Sequence, residues 1–332
     1  MGYKDLSKHK LMNKLSGQPY IDTRLSLNSF LPKTLSNKIG EKLVNFGIEE
    51  LSKNPQFHDK VEFEISFPSY TFDIKDKIKK KLGSYLSKSE TKVFIDKIRL
   101  LTLEMINEKS HFSYKNILKK ISYLDKNFKN FNNKDINQIP QLILMCKNYG
   151  TLNFSILARH GFVAKSLLNS IIDKKVISKE KGEKFEKSLN TITKKMLIDI
   201  DQVSKKKLSI RNFMKNYGHL RPGTYDITST RYDQTKNFFL NVDKKKIKIN
   251  NFKLTKNEQI KLNNTLISNK FEGIDHKILI DYISNSISLR EYSKFIFTKY
   301  LSLILEIIAN FGRIHNISRH DLANLNINCF EK

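Results

Sequence analysis

From residue 74 onward, apolar positions recur every three or four residues, which is the spacing of amphipathic helices. Ser87 and Glu90 form a capping box ahead of a face made by Val93, Phe94, Ile98, Leu101 and Met105. Further helices are predicted over 114–127, 141–149 (stopping at Gly150), 152–172, 183–203, 209–217, 254–269 and 278–314, with a short last one begun by Ser318 and Asp321. The front of the chain reads differently. Residues 1–17 are polar and basic and are expected to lack structure of their own, and 18–27 has extended character. Ser36 can N-cap a helix carrying Ile39, Leu43, Phe46 and Leu51 on one face. Over 61–67, Val61, Phe63, Ile65 and Phe67 alternate with Glu62, Glu64 and Ser66, which predicts a strand. The stretch 237–252 is ambiguous and can hold a short strand or a hairpin. The expected fold is mainly α: a basic segment (1–17), a small α/β element near the N-terminus (18–73) and a multi-helix domain (74–332).

The helical period stops at 217–233, YGHLRPGTYDITSTRYD. Gly218 stands where a C′ glycine would end the preceding helix, and Pro222-Gly223 suits the middle of a type II turn. His219, Arg221, Tyr225, Asp226, Arg231, Tyr232 and Asp233 surround that turn. Groups that bind anions and share protons, held on a Pro/Gly loop, mark a candidate site. Pairing of Arg with Asp as a clamp between helices is the plainer alternative, and both readings stand open. Arg159, His160 and Gly161 form a second candidate inside a predicted helix, where a glycine costs roughly 1 kcal/mol relative to alanine and so needs a packing or ligand reason. Arg24, on the extended stretch, is a weaker third.

Composition narrows the classes. The chain has 332 residues and a formal net charge of +27, carried by 51 Lys and only 9 Arg. The lysines are spread over the whole length, which fits compositional drift better than a nucleic-acid surface, although nonspecific affinity for polyanions follows from the charge. In such a chain an arginine that persists points to a need for its planar fork. Two distant cysteines and the spacing of the eight histidines suggest neither a disulfide scaffold nor a metal site. No phosphate loop, dinucleotide fingerprint or nucleophile elbow is present. The apolar run 295–311 is interrupted by Lys299 and Glu306 and reads as too short to span a membrane, and a cytoplasmic location is expected.

The loop YGHLRPGTYDITSTRYD also resembles a segment of phosphoenolpyruvate synthase-like, PEP-utilising enzymes, the group that includes pyruvate phosphate dikinase and rifampicin phosphotransferase. GQPYIDTRLSLNSFLP, NPQFHDKVEFEISFPSYTFD, YGTLNFSILARHGFVA and REYSKFIFTKYLS look like this family in the same order, so the resemblance covers nearly the whole chain. It implies a kinase-like phosphotransferase. There, phosphate passes from ATP, with magnesium, to a histidine on a swivelling domain and on to an acceptor. The region resembled here is the helical, acceptor-side one. The ATP-grasp-type nucleotide-binding domain and the swivelling phosphohistidine domain are implied as partners, in the same protein or as separate chains. The family's catalytic histidine falls on no residue here, and no cofactor is expected on this chain alone. The resemblance implies substrate- or anion-binding roles for His219, Arg221, Tyr225 and Arg231, with Arg159 joining them. The alternatives are a basic helical nucleic-acid-binding protein and a non-catalytic scaffold.

Overall fold

The computed structural model describes residues 1–132, 135–235 and 252–330. It is mainly α. Its one sheet among the described residues is an antiparallel hairpin, β1 (Met12–Leu15) with β2 (Gln18–Ile21). The helices are α1 (Thr23–Asn28), α2 (Asn37–Lys53), α3 (Val61–Glu64), α4 (Ile74–Leu82), α5 (Lys88–Ile106), α6 (Tyr114–Asn127) and α7 (Ile139–Met145). Then follow α8 (Leu152–Asp173), α9 (Lys179–Ser188), α10 (Ile192–Ser204), α11 (Ile210–Tyr217), α12 (Lys256–Ser268), α13 (His276–Ile314) and α14 (Arg319–Leu322).

The chain forms two compact units. The first comprises Met1–Ser113, Arg159–Glu186 and Phe252–Asn285; the second comprises Tyr114–Ala158, Lys187–Asn251 and Ser286–Lys332. In the first unit, α5 buries Phe94, Ile98, Leu101 and Met105, and α4 buries Ile74, Ile78 and Leu82. Val93, expected on the buried face of α5, is 44% exposed. Gly47 of α2 lets the Leu27 side chain of α1 approach closely, where an added Cβ would meet it at 2.9 Å. In the second unit, α6 contributes Ile117, Ile121 and Leu124, and α13 contributes Ile296, Phe297, Tyr300 and Ile307. By length and composition α13 could cross a membrane, which the 295–311 run alone did not suggest. Within the protein, 67% of its most apolar window is buried, as in a core helix.

The front of the chain departs from expectation in two places. The segment 1–17 is ordered: β1 lies in it, Ser16 and Gly17 both take positive φ (48° and 84°), and the pair makes the two-residue turn that a twisted hairpin favours. Tyr3 also bridges to Pro32, and its hydroxyl donates to the Pro68 carbonyl at 2.7 Å. The strand expected over 61–67 is instead the short helix α3. Val61 and Ile65 are four apart as well as alternating, so the same pattern fits one helical turn. Ile65 N–H donates to the Val61 carbonyl at 3.2 Å, and Phe63 remains 41% exposed.

Two helix boundaries also moved. Gly150 does not end a helix: α7 runs through a π turn (Cys146–Thr151) into α8. The glycine is there because Phe297 packs on it, and an added Cβ would sit 2.7 Å from the Phe297 Cβ. The helix expected over 183–203 is two, because the Thr191 side chain accepts from Lys194 N–H and caps a new start. The stretch 237–251 lies outside the described residues.

Four helices end alike. After α8, α10, α12 and α13 the chain turns through Lys175, Lys206, Lys270 and Asn316, at φ of 54°, 57°, 60° and 58°. Each is followed by a long-reach bond to the last turn, such as Lys207 N–H to the Gln202 carbonyl at 2.8 Å and Val176 N–H to the Ile171 carbonyl at 3.0 Å. Glycine is the usual residue at this left-handed position, and a lysine there carries steric strain. Lys175→Gly and Lys206→Gly are each expected to raise stability by about 0.5–1 kcal/mol. Urea denaturation of the two single variants checks this.

Candidate functional site

Packing and hydrogen bonds at its two ends hold the loop in place within the second unit. Phe213 and Tyr217 of α11 pack with Ile200 of α10 as a buried cluster, and the Tyr217 hydroxyl donates to Asp199 at 2.7 Å. Gly218 then ends the helix in the right-handed region (φ −58°), so it is not the left-handed cap expected. Its role is close approach, since an added Cβ would meet the Met214 carbonyl oxygen at 2.4 Å and the Asp233 Cβ at 2.8 Å. The ends of the loop meet there: Tyr232 N–H donates to the Leu220 carbonyl at 2.8 Å, and Asp233 N–H to the Gly218 carbonyl at 3.3 Å.

Inside the loop, the turn falls later than expected. Asp226 N–H donates to the Gly223 carbonyl at 3.0 Å, and Gly223 has no positive φ, so Pro222-Gly223 is not the centre of a type II turn. Asp226 is engaged locally: its carboxylate accepts from Thr228 N–H at 2.8 Å and from the Thr228 hydroxyl at 2.7 Å.

Arg221 is 6% exposed and reaches inward. Its Nη1 donates to the Asp226 and Ser229 carbonyls, both at 3.3 Å. Its Nη2 donates to Ser302 Oγ at 3.1 Å and to Glu306 Oε1 at 3.0 Å. Glu306, on α13, is 3% exposed and is a hub. Arg319 of α14 donates to it at 3.0 and 3.2 Å, and Gln234 Nε2 donates to Oε2 at 2.8 Å. Burial raises the Glu306 carboxyl, but its bonds to Arg319 and Gln234 and the two nearby guanidinium charges outweigh that and hold it below the usual range. Burial lowers the Arg221 guanidinium, and Glu306 pulls it back. Both Nη atoms of Arg221 are thus spent inside the protein rather than on an incoming anion.

The other expected residues are placed as follows. Arg231 grips Asp233 with two bonds, Nε at 3.0 Å and Nη2 at 2.5 Å. Tyr225 is 67% exposed. His219 is 8% exposed, and its ring meets that of Phe295 edge-on at 4.8 Å. Arg159 and His160 belong to the first unit. There the Arg159 guanidinium lies 4.7 Å from the Tyr3 ring centroid and 4.3 Å from that of Phe30. His160 is fully buried between the Tyr282 hydroxyl (3.0 Å) and the Phe112 carbonyl (2.7 Å). Arg24 is bonded to Asn45 at 3.0 Å on the surface.

Beside the clamped loop lies a cleft of about 200 Å³, lined by His219, Arg221, Glu291, Lys294, Phe295 and Thr298 among others. Three of these residues carry a buried polar atom with no hydrogen-bond partner: His219 Nε2, Arg221 Nε and Glu291 Oε2. Native interiors rarely leave such atoms unpaired without a reason. Burial, aided by the charges of Lys299 and Arg231, pushes His219 down to about 3, so its imidazole is neutral at neutral pH. A cleft bordered by a neutral imidazole, a guanidinium and a carboxylate offers both donors and acceptors, which suits a hydroxyl group. Among the described residues, no group of three His, Cys, Asp or Glu could hold a metal ion.

Sequence reasoning missed Glu306, Arg319, Gln234 and Glu291. Only Glu306 left a signal, as a lone carboxylate in an apolar helical run that must find a partner if buried. Compared with protein-family models, curated proteins and solved structures, the chain matches none.

The two buried histidines set a pH dependence. His160 and His219 are pushed down to about 4 and about 3, below the unfolded value of about 6.5. The unfolded chain therefore binds these protons first, so their contribution is full above pH 6.5 and is lost as pH falls through the folded values. By pH 5 each removes roughly 2 kcal/mol. Urea midpoints measured from pH 7.5 to 5 should fall, and His160→Gln or His219→Gln should each flatten the slope.

Proposed function

We propose that this chain is the helical, acceptor-side part of a PEP synthase-like phosphotransferase, and that the His219 cleft receives the hydroxyl of a small acceptor. The observation that supports this most is a cleft of about 200 Å³ bordered by His219, Arg221, Glu291 and Lys294, three of which also hold a shielded polar atom without a hydrogen-bond partner. In this reading Arg221 has two faces. Its Nη atoms hold the loop to Glu306, and its positive charge stands beside the cleft that would take the acceptor. His219, pushed down to about 3, is too weak a base to take a proton at neutral pH; its neutral ring is suited to accept a hydrogen bond from the acceptor hydroxyl and hold that oxygen toward phosphorus. Lys294 at the same cleft adds positive charge for the transferred phosphoryl group. ATP and magnesium belong to the nucleotide-binding part of such an enzyme, and the phosphohistidine to its swivelling part.

The scaffold reading draws on a different observation, the Arg221–Glu306–Arg319 clamp together with the Arg231–Asp233 pair, which account for the loop's two arginines without any ligand. It does not account for His219 Nε2 or Glu291 Oε2.

The test uses an enzyme in which this chain works with nucleotide-binding and histidine-carrying parts. His219→Gln should lower transfer to the acceptor by about tenfold while leaving phosphohistidine formation from ATP unchanged. Unchanged transfer would remove His219 from the chemistry and favour the scaffold.

A further inference from the structure

The first unit holds a larger cavity, of about 600 Å³, between α4, α5 and the turn after α12. That is the size of a site for a metabolite rather than for a water or an ion. Its floor is apolar: Ile78 and Leu86 are buried, and Tyr70 is held by its hydroxyl, which donates to Asn269 at 2.7 Å. Its rim is cationic. Lys75 and Lys79 lie four apart on α4, Lys88 and Lys92 lie four apart on α5, and Lys270 follows α12; all five are exposed.

Lysine is common everywhere in this chain, so enrichment has to be judged against that background. Six of the fifteen lining residues are Lys or Arg, against 60 of 332 in the chain, a density about twice the average. Carboxylates of the same unit are taken by lysines outside the cavity, as Asp73 is by Lys77 at 2.7 Å and Glu90 by Lys42 at 2.8 Å. Among the described residues none of the five rim lysines has an ion-pair partner. The one carboxylate in the lining, Asp96, is taken by Arg99 at 3.0 Å. Like charges four apart on a helix repel, and here two such pairs border one cavity, so the arrangement costs stability unless an anion is bound.

We infer that this cavity is a binding site for an amphiphilic organic diphosphate, its apolar body on the Ile78–Leu86 floor and its phosphates among the rim lysines. Lysine ammoniums act as point charges that need no fixed geometry from a flexible diphosphate. A monocarboxylate would leave most of the rim charge unmatched. The site lies within the first unit and is independent of the reading of the His219 cleft.

The test is isothermal titration at physiological salt with three probes: geranyl diphosphate, inorganic diphosphate and geraniol. Geranyl diphosphate should bind one per chain and at least tenfold tighter than either of the others. Lys79→Glu with Lys92→Glu should weaken it at least tenfold. The charge-matched control Lys80→Glu with Lys184→Glu, outside the cavity, should bind as the unaltered protein does. Equal binding of inorganic diphosphate, several sites per chain, or equal weakening by the control pair would each overturn the inference and reduce it to general attraction of polyanions.

Discussion

Glu306 stands in the last third of a 39-residue helix with almost no access to water. A carboxylate there costs several kcal/mol to desolvate unless its charge and lone pairs are met. Arg221, Arg319 and Gln234 meet them, and each comes from a different stretch of the second unit. Satisfying one buried charge therefore fixes the loop, the long helix and the last short helix against one another. The Arg221 Nη atoms go on to bind two loop carbonyls, so the same guanidinium shapes the loop from within.

This constraint explains why arginine appears at 221 in a chain that otherwise prefers lysine. An ammonium could neutralise Glu306, but it could not reach the carboxylate, Ser302 and two carbonyls from one planar group. It also explains the cleft. With the loop held to α13 on its Arg221 side, the His219 ring is carried against Phe295, and the polar atoms between them are buried without being paired. Arg221 Nε, His219 Nε2 and Glu291 Oε2 stay unpaired on residues that border the same cleft.

The helices were legible where two local signals agreed. Ser87 with Glu90 and Ser318 with Asp321 both form capping boxes, and the 3.6-residue period located the buried face of α5 at Phe94, Ile98, Leu101 and Met105, though not at Val93. Where one local pattern had two physical solutions, reading failed. Alternation at 61–67 fitted a helical turn as well as a strand. Gly150 looked like a stop but serves the packing of Phe297, and Thr191 restarts a helix inside an unbroken period. At the site, the residue types in the loop were visible in sequence. Their partners were not, because Glu306 lies 85 positions from Arg221 and nothing local predicts that pairing. The difference between a clamp and a site lay in those distant contacts.

The most direct test of this account is a stability comparison across the clamp. Glu306→Gln should cost about 3–5 kcal/mol, because it leaves Arg221 buried and uncompensated. Replacing the whole set with apolar groups (Arg221→Met, Glu306→Leu and Arg319→Met) should recover most of that loss. A Glu306→Gln protein within about 1 kcal/mol of the unaltered one, or a triple variant no better than the single, would contradict the claim that this carboxylate holds the loop.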